Sequence, residues 1–219
     1  MRIDPDRAAL LLVDIQPDFM PQGNLAVAGG DRILDGVRRI MTSGVFPLQA
    51  ATQDWHPPDH VSFASNHEGR EPLEVMELYG HPQVLWPDHC VQGTPGADLH
   101  PDLPWERAAV IVRKGDDPAS DSYSGFRNNW NPRGERPSTG LAGYFRERGV
   151  EDLYVCGLAR DYCVKWTAED GAREGFRTRV IWDLTRSVDP SGDDQVRSEL
   201  EAAGVELIHL EDLDLEGGA

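Results

Sequence analysis

Apolar residues form six short continuous runs along this chain, separated by stretches in which apolar residues recur at helical spacing. The runs occupy residues 8–14, 45–54, 108–114, 152–157, 178–184 and 205–210. Continuous rather than alternating runs are typical of strands buried on both faces of a sheet. The pattern therefore predicts six strands in a mostly parallel sheet.

Four amphipathic segments lie between the apolar runs, and each ends at a glycine. They occupy residues 31–44, 141–149, 163–175 and 193–204. A glycine just after the last helical residue is a common helix end, so these segments are predicted helices. The β-α-β alternation predicts an α/β fold with three layers, in which helices cover both faces of the sheet.

Two stretches interrupt this rhythm and are predicted to be long loops, at about residues 55–107 and 115–137. Both are rich in proline, glycine and polar residues, and both also carry aromatic residues. Loops of this length in a compact domain are usually functional. Because no internal repeat or second apolar core is evident, we expect a single domain spanning residues 1–219.

Charge and composition argue against several classes of function. The chain has 21 basic and 38 acidic residues, for a net charge of −17, which disfavours nucleic acid and anionic membranes as partners. No apolar run approaches the roughly 20 residues that span a bilayer, and no signal peptide opens the sequence. The three cysteines, Cys90, Cys156 and Cys163, are too few for a disulfide scaffold, so we expect a reducing, cytoplasmic location.

Reactive side chains follow four of the predicted strands, at the edge of the sheet where open α/β folds bind ligands. Asp14, Asp54 and Lys114 end three of the apolar runs, and Cys163 lies shortly after a fourth. Only two of the 21 basic residues are lysines, Lys114 and Lys165. This scarcity indicates that a lysine is chosen for its compact, tunable charge.

The position of Cys163 after a strand and a turn, at the predicted start of a helix, is suited to a nucleophile. A helix N-terminus lowers the pKa of a thiol, and its backbone N–H groups can stabilise an oxyanion. Asp14 could then act as general base, with Lys114 as its cationic partner. The alternatives remain a buried cysteine that packs as a small apolar residue, a turn-capping Asp14 and a solvated Lys114.

Histidine and carboxylate residues cluster in the first long loop. Asp54 and His56 are two residues apart, so an extended backbone points both side chains in one direction. His60 and His89 follow in the same loop. Such residues suit Zn²⁺, Fe²⁺ or Mn²⁺, although histidines that merely cap turns are the alternative.

Taken together, these motifs resemble the nicotinamidase (pyrazinamidase) branch of the isochorismatase-like cysteine hydrolases. The resemblance covers nearly the whole chain and rests on LLLVDIQPDFMPQGNLAVAGG, TQDWHPPDHVSFASNH, LWPDHCVQGTPGADLHPDL, RKG, YSGF and GLARDYCVKWTAEDG. It implies a six-stranded parallel sheet and a catalytic triad of Asp14, Lys114 and Cys163.

The resemblance also implies one divalent metal ion (Zn, Fe or Mn) and a substrate pocket. The metal ligands would be Asp54, His56 and His89, whereas His60 matches a fourth histidine of some members only if a gap is allowed. The N–H groups of Ala159 and Cys163 would bind the oxyanion, and the Leu158–Ala159 peptide bond would be cis. The residues that would contact the substrate are Phe19, Trp86, Tyr123 and Ala159, and Tyr162 stands where other members often carry histidine.

The activity implied by this resemblance is the hydrolysis of nicotinamide to nicotinate and ammonia, in NAD salvage, with pyrazinamide as a second substrate. The partner would be this small molecule, and the resemblance leaves open whether the protein is a homo-oligomer. One alternative is another isochorismatase-like amidase of the ureidoacrylate, maleamate or N-carbamoylsarcosine type, which lacks the metal set. The other is a catalytically silent binding protein on the same fold.

Overall fold

A six-stranded parallel sheet forms the centre of the protein, as the apolar runs predicted. The structure is a computed structural model that describes residues 1–216, so the last three residues of the expected 1–219 domain lie outside the described part. The strand order is β5-β2-β1-β6-β7-β8. The strands are β1 (Ala8–Val13), β2 (Leu48–Asp54), β5 (Ala108–Lys114), β6 (Asp152–Leu158), β7 (Arg177–Arg186) and β8 (Glu206–Ile208).

Burial of the strands follows from their place in the sheet. Every residue of β1 and β6, the two strands at the centre of the sheet, is buried. The edge strand β5 differs: alternate residues are exposed, and Ile111 keeps 42% of its surface. The continuous apolar run 108–114 therefore predicted the strand correctly but not its partly exposed face.

Residues 1–216 form four α-helices, which complete the predicted three-layer α/β fold. They are α1 (Leu34–Thr42), α2 (Leu141–Arg146), α3 (Lys165–Arg173) and α4 (Asp193–Ala202). Helix α1 packs on β7, α3 packs on β6 and β7, and α4 packs on β8 and α3. Within residues 1–216, no helix is both long and apolar enough to cross a membrane.

The first long loop contains regular structure that the sequence pattern did not predict. Its middle forms an antiparallel hairpin of β3 (Val75–Leu78) and β4 (His81–Val84). Each strand has only four residues, and β3 lies largely in solvent, with Val75 60% exposed. A hairpin this short buries no apolar run, so no periodic signal marks it.

Candidate active site

The carboxyl ends of four neighbouring strands bring the predicted reactive residues together. In the order β5-β2-β1-β6, Lys114 and Asp54 end their strands, Asp14 follows its strand directly, and Cys163 lies in the turn beyond β6. Because the strands are parallel, these four positions meet at one edge of the sheet. All four side chains are buried.

The ammonium group of Lys114 is the centre of this cluster. Its Nζ donates to Asp54 Oδ1 at 2.7 Å, to the Ser122 carbonyl at 2.8 Å and to Cys163 Sγ at 3.4 Å. Burial alone would lower the pKa of Lys114, but the carboxylates of Asp14 and Asp54 raise it well above its ordinary value. Lys114 is therefore a permanently charged donor.

The two oxygens of the Asp14 carboxylate have different partners. Oδ1 accepts from Thr52 Oγ1 at 2.6 Å. Oδ2 forms an ion pair with Lys114 Nζ at 2.9 Å and, within residues 1–216, has no further hydrogen-bond partner. Burial raises the pKa of Asp14, although Lys114 partly opposes this effect. Oδ2 can thus accept a proton.

The thiol of Cys163 differs from the expectation in both its local structure and its ionisation. It lies in a π-helical turn, Arg160–Val164, that precedes α3, rather than at the first residue of the α-helix. Burial raises its pKa well above the ordinary value, and Lys114 only partly offsets this. The lowered pKa that a helix N-terminus would favour is therefore not found, because the loss of solvation outweighs the helix dipole.

A buried thiol needs a base close by, and Asp14 meets this need. One ligand atom from each of Asp14, Asp54 and Cys163 lies within 4.8 Å of the others. Since Lys114 and His56 hold the pKa of Asp54 well below its usual range despite burial, Asp14 is the better proton acceptor of the two acids. Cys156 lies inside β6, where burial raises its pKa to about 12, so it is an inert thiol.

Backbone N–H groups near Cys163 are suited to bind an oxyanion. The peptide bond between Leu158 and Ala159 is cis, as the resemblance implied. Within the described residues, the Ala159 N–H donates no hydrogen bond. The Ala159 carbonyl, by contrast, accepts from the N–H groups of Tyr162 and Val164. The N–H of Ala159 therefore remains available to a ligand.

The turn that carries these groups is anchored by two side chains that sequence reasoning missed. Arg160 Nε and Nη2 donate to the Thr185 hydroxyl and carbonyl, both at 2.8 Å, and its Nη1 pairs with Asp193. The Asp161 carboxylate accepts from the N–H groups of Val188 and Asp189 at 3.0 and 2.9 Å. No periodicity marks either residue, because their partners lie more than 20 residues away in sequence.

The expected metal ligands form a second cluster beside the first. His56 Nδ1 lies 2.9 Å from the Gly115 carbonyl, and His89 Nδ1 lies 2.8 Å from the Pro87 carbonyl. A carbonyl can only accept, so both Nδ1 atoms carry a proton and both rings direct Nε2 toward the cluster. These Nε2 atoms lie 3.3 and 3.6 Å from Asp54 Oδ2. The donor set and its backbone supports fit a divalent ion.

Gly115 makes the orientation of His56 possible. Its φ of +66° is in the left-handed region, and a Cβ at this position would lie 2.3 Å from His56 Cε1. Any larger residue would push the ring away from the carbonyl that fixes its tautomer. Lys114 therefore lies in the first cluster, and its neighbour Gly115 orients His56 in the second.

His60 lies close to this cluster but outside the set of Asp54, His56 and His89. Its ring stacks obliquely on His56 with a centroid distance of 4.2 Å. Its Nδ1 contacts Ser62 Oγ at 2.7 Å and its Nε2 contacts the Ser120 carbonyl at 3.3 Å, so both nitrogens have partners. Burial lowers the pKa of His60 to about 4, so the ring is neutral.

An apolar pocket lies over both clusters. Trp86 and Tyr162 meet edge to face at 4.7 Å, and the Tyr123 hydroxyl accepts from Trp86 Nε1 at 3.2 Å. The pocket contains all four residues expected to contact a substrate. It is lined by Phe19, Leu25, Asp54, His56, Trp86, His89, Asp121, Tyr123, Ala159, Tyr162, Cys163 and Val188.

Comparison with known proteins agrees with this geometry. The sequence matches the isochorismatase domain family over residues 8–212. It is 46% identical over 204 residues to a nicotinamidase of Acinetobacter baylyi, a match covering 93% of this chain and 92% of the relative. An L. infantum protein solved in complex with nicotinate is 37% identical, with a TM-score of 0.85 and 98% of each chain covered. A Pyrococcus horikoshii pyrazinamidase solved in complex with zinc is 35% identical, with a TM-score of 0.74 and 93% and 99% covered. The chain therefore belongs to the isochorismatase family and, within it, to the group that contains the nicotinamidases.

Proposed function

We propose that this protein is a nicotinamidase, which converts nicotinamide and water into nicotinate and ammonia with Cys163 as nucleophile. The observation that carries the proposal is the buried carboxylate of Asp14, which lies beside a buried thiol and forms an ion pair with the lysine that also contacts that thiol. The similarity to nicotinamidases supports the choice of substrate. The relative named as a pyrazinamidase supports pyrazinamide as a second substrate.

The first half of the reaction forms a thioester. Asp14 Oδ2 takes the proton of Cys163 as the sulfur attacks the carboxamide carbon, and Lys114 stabilises the negative charge on the sulfur. The N–H groups of Ala159 and Cys163 hold the oxyanion of the tetrahedral intermediate. Asp14 then returns its proton to the nitrogen, so that ammonia leaves and the acyl group stays on Cys163.

The second half releases nicotinate. Asp14, again a carboxylate, removes a proton from the water that attacks the thioester carbon, and the same two N–H groups stabilise the oxyanion. The carbon–sulfur bond breaks, and Cys163 recovers its proton from Asp14. Lys114 keeps its charge throughout, because both neighbouring carboxylates raise its pKa.

One divalent ion would be held by Asp54, His56 and His89, which supply one carboxylate oxygen and two imidazole nitrogens. This mixed donor set suits Zn²⁺, Fe²⁺ or Mn²⁺. When bound, the ion supplies a Lewis acid for the lone pair of the pyridine nitrogen. The aromatic walls, Phe19 and Trp86 among them, bind the faces and edges of the ring.

Ammonia release from nicotinamide tests the proposal. We expect the wild-type protein to release ammonia and Cys163→Ala to lose all measurable turnover while keeping its fold by circular dichroism. Cys156→Ala is the matched control and should retain activity, because its thiol is buried in β6 away from the pocket.

The alternatives give different results in the same assay. Release from ureidoacrylate, maleamate or N-carbamoylsarcosine but not from nicotinamide would identify another amidase of the family. No release from any of these amides would indicate a binding protein.

A further inference from the structure

One buried carboxylate of the pocket takes no part in the steps above. Asp121 is only 2% exposed and lines the same pocket as Asp54, His56 and His89. One of its oxygens and one ring nitrogen each of His56 and His60 lie within 4.8 Å of one another. Asp121 thus adjoins the expected metal ligands without belonging to the catalytic triad.

The hydrogen-bond partners of Asp121 are all uncharged. Its Oδ2 accepts from Gln83 Nε2 at 2.6 Å, and its Oδ1 accepts from the Ser122 N–H at 2.8 Å. Within residues 1–216, no lysine or arginine forms an ion pair with it, whereas Asp14 and Asp54 both pair with Lys114. A buried carboxylate without a cationic partner is unfavourable unless another positive charge is close by.

The net charge of the whole site indicates which cation would compensate Asp121. The site contains three buried carboxylates, Asp14, Asp54 and Asp121, and one ammonium group, Lys114. Two negative charges remain once the histidines are neutral, as metal ligation requires. A divalent cation restores neutrality, and a monovalent cation would not. We propose that Asp121 supplies the second negative charge that balances a divalent ion bound by Asp54, His56 and His89.

This inference rests on the metal site of the proposed function and adds a residue that stabilises the ion from outside the ligand set. A separate ion held by Asp121 with His60 is the competing arrangement. It is disfavoured because Ser62 and Ser120 already occupy both nitrogens of His60. The role of Asp121 is therefore electrostatic support of the neighbouring ligand set.

Zn²⁺ affinity of the full chain, measured by competition with a chromophoric chelator after metal removal, tests the role. Asp121→Asn keeps the shape of the side chain but removes its charge, so we expect affinity to fall about 10- to 100-fold. Gln83→Met is the matched control, since it breaks the same hydrogen bond and keeps the charge. Its affinity should stay within about threefold of wild type, because Asp121 retains the Ser122 N–H.

Thermal unfolding gives a second readout that a merely structural role would not produce. In metal-free protein, Asp121→Asn should melt at or above the wild-type temperature, because the substitution removes an unbalanced buried charge. In Zn²⁺-loaded protein the order should reverse.

Four results would overturn the inference. The first two are wild-type Zn²⁺ affinity in Asp121→Asn and an equal loss of affinity in Gln83→Met. The others are a metal-free Asp121→Asn protein that melts well below metal-free wild type and a wild-type protein that takes up no Zn²⁺. Ammonia release from nicotinamide is measured separately, so the proposed hydrolysis is decided independently.

Discussion

Lys114 shows how a single buried side chain can join two reactive groups. Its ammonium group donates to Asp54, a proposed metal ligand, to the Ser122 carbonyl and to the Cys163 sulfur. A tetrahedral ammonium group can direct three donors to three separate acceptors, whereas a planar guanidinium directs its donors within one plane. The scarcity of lysine in this arginine-rich chain is thus consistent with a geometric need at this position.

The replacement Lys114→Arg should lower kcat/KM for nicotinamide by at least about 100-fold. The larger planar group cannot occupy the fully buried site without moving Asp14 or Cys163, and displacement of a catalytic group by about 1 Å costs on the order of 100-fold. This corresponds to roughly 2.7 kcal/mol of transition-state stabilisation. Steady-state kinetics with nicotinamide measures the loss.

Lys165→Arg is the control for this substitution, because Lys165 is the only other lysine. It is half-buried on α3 and pairs with Glu199, so an arginine can replace it. Its kcat/KM should stay within about threefold of wild type, a difference below 1 kcal/mol. Similar rates in the two variants would mean that Lys114 is outside the catalytic machinery.

At the scale of elements, the turn between β6 and α3 is held in place by hydrogen bonds to a later part of the chain. Arg160 and Asp161 tie this turn to the end of β7 and the segment after it. The guanidinium of Arg160 also lies 3.9 Å from the centre of the Trp182 ring. The position of the oxyanion donors is therefore set by contacts about 25 residues further along the chain.

Removal of the Arg160 contacts should lower kcat more than it changes KM. In Arg160→Met the turn loses four hydrogen-bonded or ionic contacts, while the aromatic pocket walls remain. We expect kcat for nicotinamide to fall about 10- to 100-fold and KM to change less than about threefold. Arg197→Met is the control, since Arg197 also lies over Trp182, at 4.5 Å, and donates to no group of this turn. Equal kcat values for the two variants would contradict the anchoring role.

At the scale of the whole molecule, the proposed metal site joins segments that are far apart in the sequence. Asp54 and His56 lie at the end of β2, whereas His89 lies in the irregular chain between β4 and β5. Three buried carboxylates sit within this region, and one lysine pairs with two of them, Asp14 and Asp54. Metal binding is therefore expected to contribute to the stability of the fold as well as to the position of the substrate.

Removal of the metal should lower the melting temperature. A ligand present at about 100 times its Kd stabilises the native state by roughly 2.7 kcal/mol, which shifts Tm by about 5–10 °C in a domain of this size. Differential scanning calorimetry of chelator-treated protein, before and after Zn²⁺ is added, measures this shift. His89→Ala should show little or no shift, and a full shift in that variant would remove His89 from the ligand set.

Much of the fold followed from local patterns. Continuous apolar runs marked the six strands, and the reactive residues were found because Asp14, Asp54 and Lys114 stand directly where such runs end. The hairpin of β3 and β4 was missed because its strands are short and exposed. Asp121 was missed for a related reason, since a polar residue in an irregular loop carries no periodic signal.

The sequence by itself determined the α/β class, the strand segments and the residue types available at the sheet edge. Continuous apolar runs and helix periodicity are local properties of the chain, and they are sufficient to indicate these features. Only the tertiary structure decided the protonation states and the contacts. Cys163 is a protonated thiol because the assembled core excludes water around it. Asp14 lies beside this thiol because Lys114 contacts Asp14, Asp54 and Cys163, which belong to three other segments of the chain. Such long-range packing is invisible to any local pattern, and it sets the chemistry of this site.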